Sequence, residues 1–321
     1  MQIINDTLME VLVGDPTLCR NLAVFPLLSG KPPRFEYLTL DEALERGLAE
    51  VAEVSESGSV PELRFTNRAE KDVLLVDGEE LVGAKQNRVL NLTILVGAGH
   101  TVSIPVSCVE SGRWQYKSRK FRSGGKTLYS RARARKMASV SYSMEAEAVR
   151  MSDQGEIWAD IAAKSAQMAA CSPTGAMDAM YECHAEPLRE YAEKLRTVEN
   201  QTGAVFVVNG KVAGLELFDN PRTFARLKDK LVQSFALDAL GEAANDAPAP
   251  DAQVVRDFIE RLKTAKASEH LAVDLGTDVR MSGERLVGGA LVLDGEVVHL
   301  AAFSLDADAT RARGGEEVMF D

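Results

Sequence analysis

Two carboxylates followed by a run of amides and cations form the densest polar cluster in the sequence. Residues 77–88 read DGEELVGAKQNR, and the side chains with chemical potential are those of Glu79, Glu80, Lys85, Gln86, Asn87 and Arg88. A carboxylate can give or take a proton, while amide and cationic groups bind hydroxyl and phosphate oxygens. The segment therefore predicts a site for a polyhydroxylated or phosphorylated ligand, with one glutamate as acid or base. The alternative is a solvated hairpin tip.

A second cluster follows in residues 104–114, which read IPVSCVESGRW. With a period of two, Ile104, Val106, Cys108 and Glu110 share one face of a strand. Cys108 is interpreted first as a small buried residue and second as a nucleophile, because unpaired cysteines are among the most buried residue types. Glu110 would lie at the rim, where burial is expected to raise its pKa and allow a general-acid role.

The segment Ser111–Met144 holds ten Lys and Arg residues and no Asp or Glu, with aromatic residues between them. Cations bind phosphate and flat rings stack on bases, so the mixture is typical of a site for a nucleotide or a single-stranded nucleic acid. Arg113, Trp114 and Arg119 are the ligand-binding candidates that it contributes. The alternative is a mobile surface loop that pairs with acidic faces elsewhere.

The overall charge argues against generic binding of polyanions. The chain has 321 residues, with 37 Lys and Arg against 48 Asp and Glu, for a formal charge of −11. Without the ten cations of the segment above, 27 basic residues face 48 acidic ones, so the rest of the chain carries −21. An acidic body with one positive segment favours a localised anionic ligand over a membrane surface or a nucleic acid at large.

The cysteines and histidines do not form a recognisable metal site. Cys171, Cys183 and His184 have a spacing that no common zinc module uses, so no metal is predicted. The four cysteines show no CxxC pair, and the N-terminus has no basic region typical of a secretory signal. We therefore expect a cytoplasmic protein with reduced thiols and no transmembrane helix, and the sequence indicates no particular cofactor.

Short runs of alternating apolar and polar residues dominate the first 140 residues. This period is typical of strands, and short connections favour antiparallel pairing. The strands are predicted at 21–27, 62–66, 73–76, 80–83, 92–96 and 101–109, with one helix at 40–48. We therefore predict an α+β protein in which residues 1–140 form a β-rich region, an antiparallel sandwich or open barrel, that carries the candidate site.

Helical periodicity begins after residue 140. Residues 141–321 are predicted to form a helical segment followed by hairpin-plus-helix units, packed on the first region. Asp153, with a glutamate three residues later, indicates a helix start, and Pro187 is expected to kink or split a helix over 177–195.

Three Asp-Gly or Asn-Gly pairs lie between apolar runs. They predict hairpins at 74–83, 207–216 and 291–300, because a type I′ turn needs positive φ at both central residues. Independent use of a common turn and an ancient duplication both explain the repetition. The Ala- and Pro-containing stretch at 241–252 predicts a linker or exposed loop.

Several motifs together resemble one known family, the ADP-ribosylglycohydrolase- and rhodanese-phosphatase-associated protein family. The segments that carry the resemblance are LLVDGEELVGAKQNRVLN, IPVSCVESGRW, SDQGEIW, GAVFVVNGKVAGLELFD and VVHLAAF, in this order along nearly the whole chain. The resemblance implies an enzyme or ligand-binding protein in ADP-ribose and NAD metabolism. The positions that match the family's motifs are Glu79, Glu80, Gly83, Lys85, Gln86, Asn87, Arg88, Cys108, Glu110, Gly112, Arg113, Trp114, Asp153, Gln154 and Trp158.

These observations predict binding, and hydrolysis or transfer, of a phosphorylated ribosyl compound of the ADP-ribose type. Glu80 and Glu110 would form the acid/base pair, because two flanking carboxylates serve an oxocarbenium-like transition state; Cys108 is the third catalytic candidate. The predicted ligand contacts are Arg88, Arg113 and Arg119 for phosphates, Gln86 and Asn87 for ribose hydroxyls, Trp114 for a base, and the flanking Glu79 and Lys85.

Two other functions remain open at this point. A non-enzymatic module would bind a nucleotide or RNA through residues 111–144, and its affinity would fall steeply with salt. A scaffold would have no site of its own and would bind enzymes of ADP-ribose metabolism as its partners. Whether the chain is an enzyme at all is not decided by the sequence.

Overall fold

The structure is a computed structural model that describes residues 1–55, 58–243 and 250–305. The middle of the predicted linker, residues 244–249, lies outside the described residues, as does the last part of the predicted second region, residues 306–321. The helices are α1 Gln2–Glu10, α2 Leu40–Glu45, α3 Ser130–Glu147, α4 Gln154–Gln167, α5 Asp178–Cys183, α6 Ala185–Lys194, α7 Pro221–Leu240 and α8 Ala252–Lys263. The first strands are β1 Leu12–Val13, β2 Thr17–Cys19, β3 Leu22–Leu28, β4 Tyr37–Thr39, β5 Ala49–Glu53, β6 Glu62–Asn67, β7 Asp72–Leu75, β8 Glu79–Gly83 and β9 Arg88–Leu90. The others are β10 Ile94–Val96, β11 Thr101–Cys108, β12 Phe121–Thr127, β13 Gln201–Val208, β14 Lys211–Phe218, β15 Lys266–Leu271, β16 Thr277–Gly283, β17 Leu286–Leu293 and β18 Glu296–Ser304.

A nine-stranded antiparallel sheet with helices on both faces forms the larger part of the molecule. Its order is β1-β3-β13-β14-β18-β17-β16-β15, with β2 paired to β3. Alternate residues of each strand point to opposite faces. Phe206 and Phe303 therefore pack with α3 and α7 on one face, while Phe25 and Leu300 pack with α1 and α8 on the other.

A closed six-stranded barrel lies beside this sheet, with strand order β11-β6-β5-β12-β8-β9. It closes because β11 changes partner along its length: residues 101–105 pair with β6 and residues 106–108 with β9. Its interior is filled by apolar side chains such as Val51, Phe65 and Ile104. A three-stranded sheet, β10-β7-β4, packs against the same core.

The α+β class and the β-rich N-terminal region are confirmed, and the β-rich region is a closed barrel. The sheets do not follow the predicted division at residue 140, because β3 pairs with β13 in the sheet built mainly from the C-terminal half. The division into 1–140 and 141–321 stays a prediction about folding units.

Two of the three predicted hairpins are correct and one is wrong. Asn209 and Asp294 have positive φ and are each followed by a glycine with positive φ, as a type I′ turn requires. At Asp77-Gly78 the flanking strands belong to different sheets, since β7 pairs with β4 and β10 while β8 pairs with β9 and β12. The shared turn signature therefore does not mark a repeated β-unit there.

The predicted helix over 177–195 is split in two, at His184 rather than at Pro187. Pro187 lies in the first turn of α6, where a missing N–H costs nothing. The predicted start at Asp153 is confirmed, because its side chain accepts a hydrogen bond from the backbone N–H of Glu156.

Candidate functional site

One end of the barrel gathers the segments that the sequence singled out. The β8–β9 turn at residues 84–87, the described parts of the β5–β6 connection (54–55 and 58–61) and the β11–β12 loop at residues 109–120 all lie at this end, because neighbouring strands of the barrel run antiparallel. Strand alternation places Arg88, Cys108 and Glu53 on the inward side of the wall, in register with Leu81 and Leu63 of the apolar core. We call this end of the barrel, with the inward side chains of Arg88, Cys108 and Glu53, the barrel end.

Arg88 is one of the two arginines among the largest fully buried side chains of the described residues, with 0% of its surface exposed. Its Nη1 donates to Oε1 of Gln86 at 3.2 Å, but Nε and Nη2 have no hydrogen-bond partner among the described residues. The ring of Trp114, which is 45% exposed, lies 5.6 Å from the guanidinium. Burial lowers the pKa of Arg88. An unsatisfied buried charged group lowers the stability of the folded protein by about 1–3 kcal/mol or more, and a bound acceptor would remove this penalty.

Arg113 joins the β8–β9 turn to the loop after β11. Its Nη1 donates to the carbonyl oxygen of Ala84 at 2.7 Å, and its Nη2 donates to Oδ1 of Asn87 at 3.2 Å and to Oε2 of Glu110 at 2.6 Å. The backbone N–H of Asn87 also donates to Glu110, at 3.1 Å. The two predicted segments are therefore in direct contact. Arg113 and Asn87 use much of their hydrogen-bonding capacity in this contact.

The pKa of Glu110 is lowered, which corrects the expectation of a raised one. Burial is the largest single effect and acts upward, but hydrogen bonds from Arg113, Thr174 and the backbone of Asn87 outweigh it. Both carboxylate oxygens accept these bonds. Glu110 is held ionised and cannot serve as the proton donor near neutral pH.

Glu80 points to the outer side of the barrel wall, because it neighbours the inward Leu81. It is 0% exposed, and neither carboxylate oxygen makes a well-aligned hydrogen bond within the described ranges. Burial raises its pKa to about 7, aided by the charge of Glu110 and opposed by Lys126, Arg122 and the nearby Asn87 amide.

The cover over Glu80 is a glycine in the irregular part of β12. A Cβ on Gly124 would lie 2.4 Å from Oε2 of Glu80, so any larger residue would clash. The β8–β12 register shifts between Ser123 and Thr127, which marks a bulge at this point. Glu80 and Arg88 therefore face opposite sides of one barrel wall, whereas Arg88 and Glu110 lie at the same end.

Two other predicted residues are enclosed by the protein. Burial raises the pKa of the Cys108 thiol to about 11, and the nearby Arg88 offsets only part of this effect. A thiol with this pKa is a poor nucleophile at neutral pH, which favours the packing interpretation. Glu79 accepts hydrogen bonds from Lys230 Nζ at 2.7 Å and from the Val76 backbone at 2.6 Å. The described contacts of Glu79 are those of a structural ion pair.

Most cations of the segment Ser111–Met144 are engaged within the protein. Arg113, Lys120, Lys126, Arg131, Arg133, Arg135 and Lys136 form ion pairs. The segment is β12 and α3 joined to a loop, so most of it is not the loop of the alternative interpretation, but the pairing with acidic residues elsewhere that this alternative included is present. Arg119 and Lys117 are exposed and form no ion pair in the described part of the chain, and Lys85 lies 5.3 Å from the Trp114 ring and 5.0 Å from the Tyr116 ring.

A buried ionic network that the sequence did not indicate joins the barrel to the large sheet. Arg133 of α3 bridges Asp77, at 3.3 Å, and Glu216 of β14. Lys136 also binds Asp77, and His299 of β18 binds Glu216 at 2.9 Å. Gly78 has φ of +82°, and a Cβ there would lie 2.7 Å from Nε of Arg133. The sequence signal for this network was Glu216 itself, a charged residue within the mostly apolar strand β14.

The described residues contain neither a membrane-spanning helix nor a cluster of metal-ligating side chains. No helix in these ranges is long and apolar enough to cross a bilayer. Within the same ranges, no three or more His, Cys, Asp or Glu side chains come together as a metal-holding group. All four cysteines are free, with Cys19 and Cys108 buried and Cys171 and Cys183 exposed.

Comparison with known proteins gives one match. No curated protein and no solved structure is similar enough to match the chain. A family model described as the ARG and Rhodanese-Phosphatase-superfamily-associated Protein domain matches residues 10–303, which include the barrel and the large sheet. This description places the family in a context related to ADP-ribose. The match confirms the resemblance noted in the sequence motifs, and the chain belongs to the family of ARG and Rhodanese-Phosphatase-superfamily-associated Protein domains.

Proposed function

We propose that the protein binds a phosphorylated ribosyl compound of the ADP-ribose type at the barrel end, and hydrolyses or transfers it. The observation that carries the proposal is the buried guanidinium of Arg88, which has two N–H-bearing nitrogens without a partner among the described residues. A phosphate oxygen accepts charge-assisted hydrogen bonds from such a group, and Arg is well suited to bidentate binding.

The aromatic side chains next to Arg88 support a nucleotide over a simple phosphate. Trp114 contacts the guanidinium with its ring and is still 45% exposed, so a base can stack on the open part of the ring. Tyr116 is also exposed and lies beside Lys85. Arg119 is exposed in the same loop and can reach a second phosphate.

The different environments of two carboxylates support an acid/base assignment. Glu80 holds a proton up to about pH 7, whereas Glu110 is held ionised. A pair of carboxyl groups with separated pKa values is typical of glycosidic chemistry. Glu80 would protonate the leaving group as the glycosidic bond breaks, and Glu110 would stabilise positive charge at the ribosyl carbon. A water molecule, or an acceptor hydroxyl in a transfer, would form the new bond to that carbon and return its proton to Glu80. Because Glu80 lies on the outer face of the barrel wall and is covered by Gly124, this step requires the β12 bulge to move and the ribosyl end of the ligand to extend over the rim past Glu110.

RNA binding is the second candidate, and the exposed Trp114, Tyr116, Lys117 and Arg119 favour it. Extended single strands need many phosphate contacts, however, and seven cations of this segment are already paired within the protein. A small ligand that uses one buried cation is the better fit.

Arg88→Met is expected to weaken ADP-ribose binding by about 10–100-fold, because charge-assisted hydrogen bonds contribute about 1.5–3 kcal/mol. The same variant should unfold at equal or higher urea concentration than the parent without ligand, since it removes an unpaired buried charge. Calorimetric titration and urea unfolding measure the two effects.

The matched control is Arg196→Met. It changes an exposed arginine outside the barrel strands and should alter neither the ADP-ribose affinity nor the urea unfolding. An RNA oligomer that binds more tightly than ADP-ribose, with affinity falling steeply in salt, would favour the second candidate. Unchanged ADP-ribose affinity in Arg88→Met would contradict the assignment of Arg88.

A further inference from the structure

A second charged side chain lies unpaired inside the barrel end. Glu53 is the last residue of β5 and is buried. Its Oε2 has no hydrogen-bond partner within the described ranges, and its Oε1 accepts only a long bond of 3.5 Å from the backbone N–H of Lys85. Its side chain faces inward, because its register partner Leu63 belongs to the barrel core.

Glu53 and Arg88 share this interior without pairing to each other. The strand register places both on the inward side of the wall with Cys108, and the charge of each acts on the Cys108 thiol. Neither residue forms an ion pair among residues 1–55, 58–243 and 250–305. Opposite buried charges usually pair directly, because each one alone carries a large desolvation cost. A group bound between them would satisfy both charges. Because Arg88 is 0% and Glu53 7% exposed, this group enters only when the side chains that cover the two residues move.

The chemistry of that group follows from the two partners. Arg88 requires an acceptor, and an anion is best. Glu53 is an acceptor and requires donors, so hydroxyl groups fit and a second phosphate is repelled. A ribose with free hydroxyls next to a phosphate satisfies both. Carboxylates commonly bind the ribose 2′-hydroxyl in this way, whereas a 2′-phosphate needs a cation.

We propose that Glu53 is a specificity-determining residue that binds the free hydroxyls of the ribose between the base on Trp114 and the phosphate on Arg88. This inference rests on the proposed function. The base and the phosphate are joined through the adenosine ribose, so that ribose must pass the interior between the two contacts. Glu53 therefore selects ligands with an unmodified ribose and rejects those phosphorylated on it.

Lys85 is the other charged group at this place. A Cβ on Gly58 would lie 3.4 Å from Nζ of Lys85 and 3.4 Å from Oε2 of Glu53, so both groups border the same space. Lys85 also faces the rings of Trp114 and Tyr116. Its charge reduces the repulsion of a 2′-phosphate without removing it, because Glu53 Oε2 accepts no hydrogen bond from Lys85.

The test compares ADP-ribose with 2′-phospho-ADP-ribose by calorimetric titration. The parent protein should bind ADP-ribose at least 10-fold more tightly. Glu53→Gln should bind ADP-ribose about 10-fold less tightly than the parent and should discriminate between the two ligands by less than 3-fold. The control is Glu50→Gln. Glu50 lies in the same strand on the outer face of the barrel and pairs with Lys120 and Arg68, so this variant should keep the parent affinities for both ligands.

The outcomes separate the two proposals. Absence of binding for both ligands by the parent would overturn the proposed function and this inference together. Tight binding of ADP-ribose with equal affinity for the 2′-phosphorylated form would overturn only the role of Glu53, and this comparison needs no variant to fold. A folded Glu53→Gln protein that still prefers ADP-ribose over its 2′-phosphorylated form by the parent ratio would also overturn the role of Glu53.

Discussion

Arg133→Met is expected to lower the free energy of unfolding by about 3–5 kcal/mol at pH 7, because breaking a buried ion pair leaves an uncompensated charge. Arg133 is fully buried between Asp77 and Glu216 and also lies 4.9 Å from the Phe303 ring. Without it, Asp77 keeps its ion pair with Lys136, whereas Glu216 loses its guanidinium partner and keeps the hydrogen bond with His299. Methionine fills much of the volume, so the loss measures charge rather than a cavity.

Urea unfolding at pH 7 measures this effect. Arg189→Met is the control, since Arg189 is 63% exposed in a surface pair with Glu186 and should change stability by less than about 1 kcal/mol. A loss below about 1 kcal/mol at pH 7 would mean that the network does not hold the barrel to the large sheet.

Glu80→Gln is expected to gain stability relative to the parent as the pH rises, by about 3 kcal/mol in total. The folded pKa of Glu80 is raised from an ordinary 4.5 to about 7 by burial. Below the unfolded pKa both states hold the proton and the two proteins behave alike. Between about pH 4.5 and 7 the unfolded parent releases its proton while the folded parent keeps it, so only the parent loses stability.

Urea unfolding of both proteins at several pH values between 4 and 8 measures this difference. It should grow through this interval and become constant above about pH 7. Glu45→Gln, at an exposed position of α2, should show no such trend. A difference that is constant over the interval would show that Glu80 ionises as an ordinary surface glutamate, and the general-acid role would lose its support.

Local turn chemistry was predictable from the sequence, but its tertiary context was not. Asn209-Gly210 and Asp294-Gly295 form the expected turns because strands on both sides pair with each other. Asp77-Gly78 has the same letters, but Arg133 and Lys136 bind Asp77 from a helix more than fifty residues away. The residues next to Asp77 in the sequence do not indicate these partners.

The composition of the candidate site was largely predictable, and its geometry was not. Strand alternation could have separated Glu80 from Arg88, but only the pairing register shows which side is the interior. The pKa of Glu110 depends on Arg113, three residues away in sequence, and on Thr174, which is distant. Glu53 gave no signal, since a single glutamate at the end of an alternating strand is typical of a solvated edge.

The pairing of β3 with β13 has a consequence for how the chain is made. Leu22 pairs with Val208, so the first long strand leaves the ribosome well over a hundred residues before its neighbour. The strands of the barrel, within residues 49–127, pair only among themselves and can close first. Domains commonly fold during synthesis from the N-terminus, yet here an early strand must wait with an unpaired edge. A chaperone that binds β3 during translation is therefore expected to raise the yield of folded protein. The gain should be larger than for a protein whose strands pair in the order in which they are synthesised.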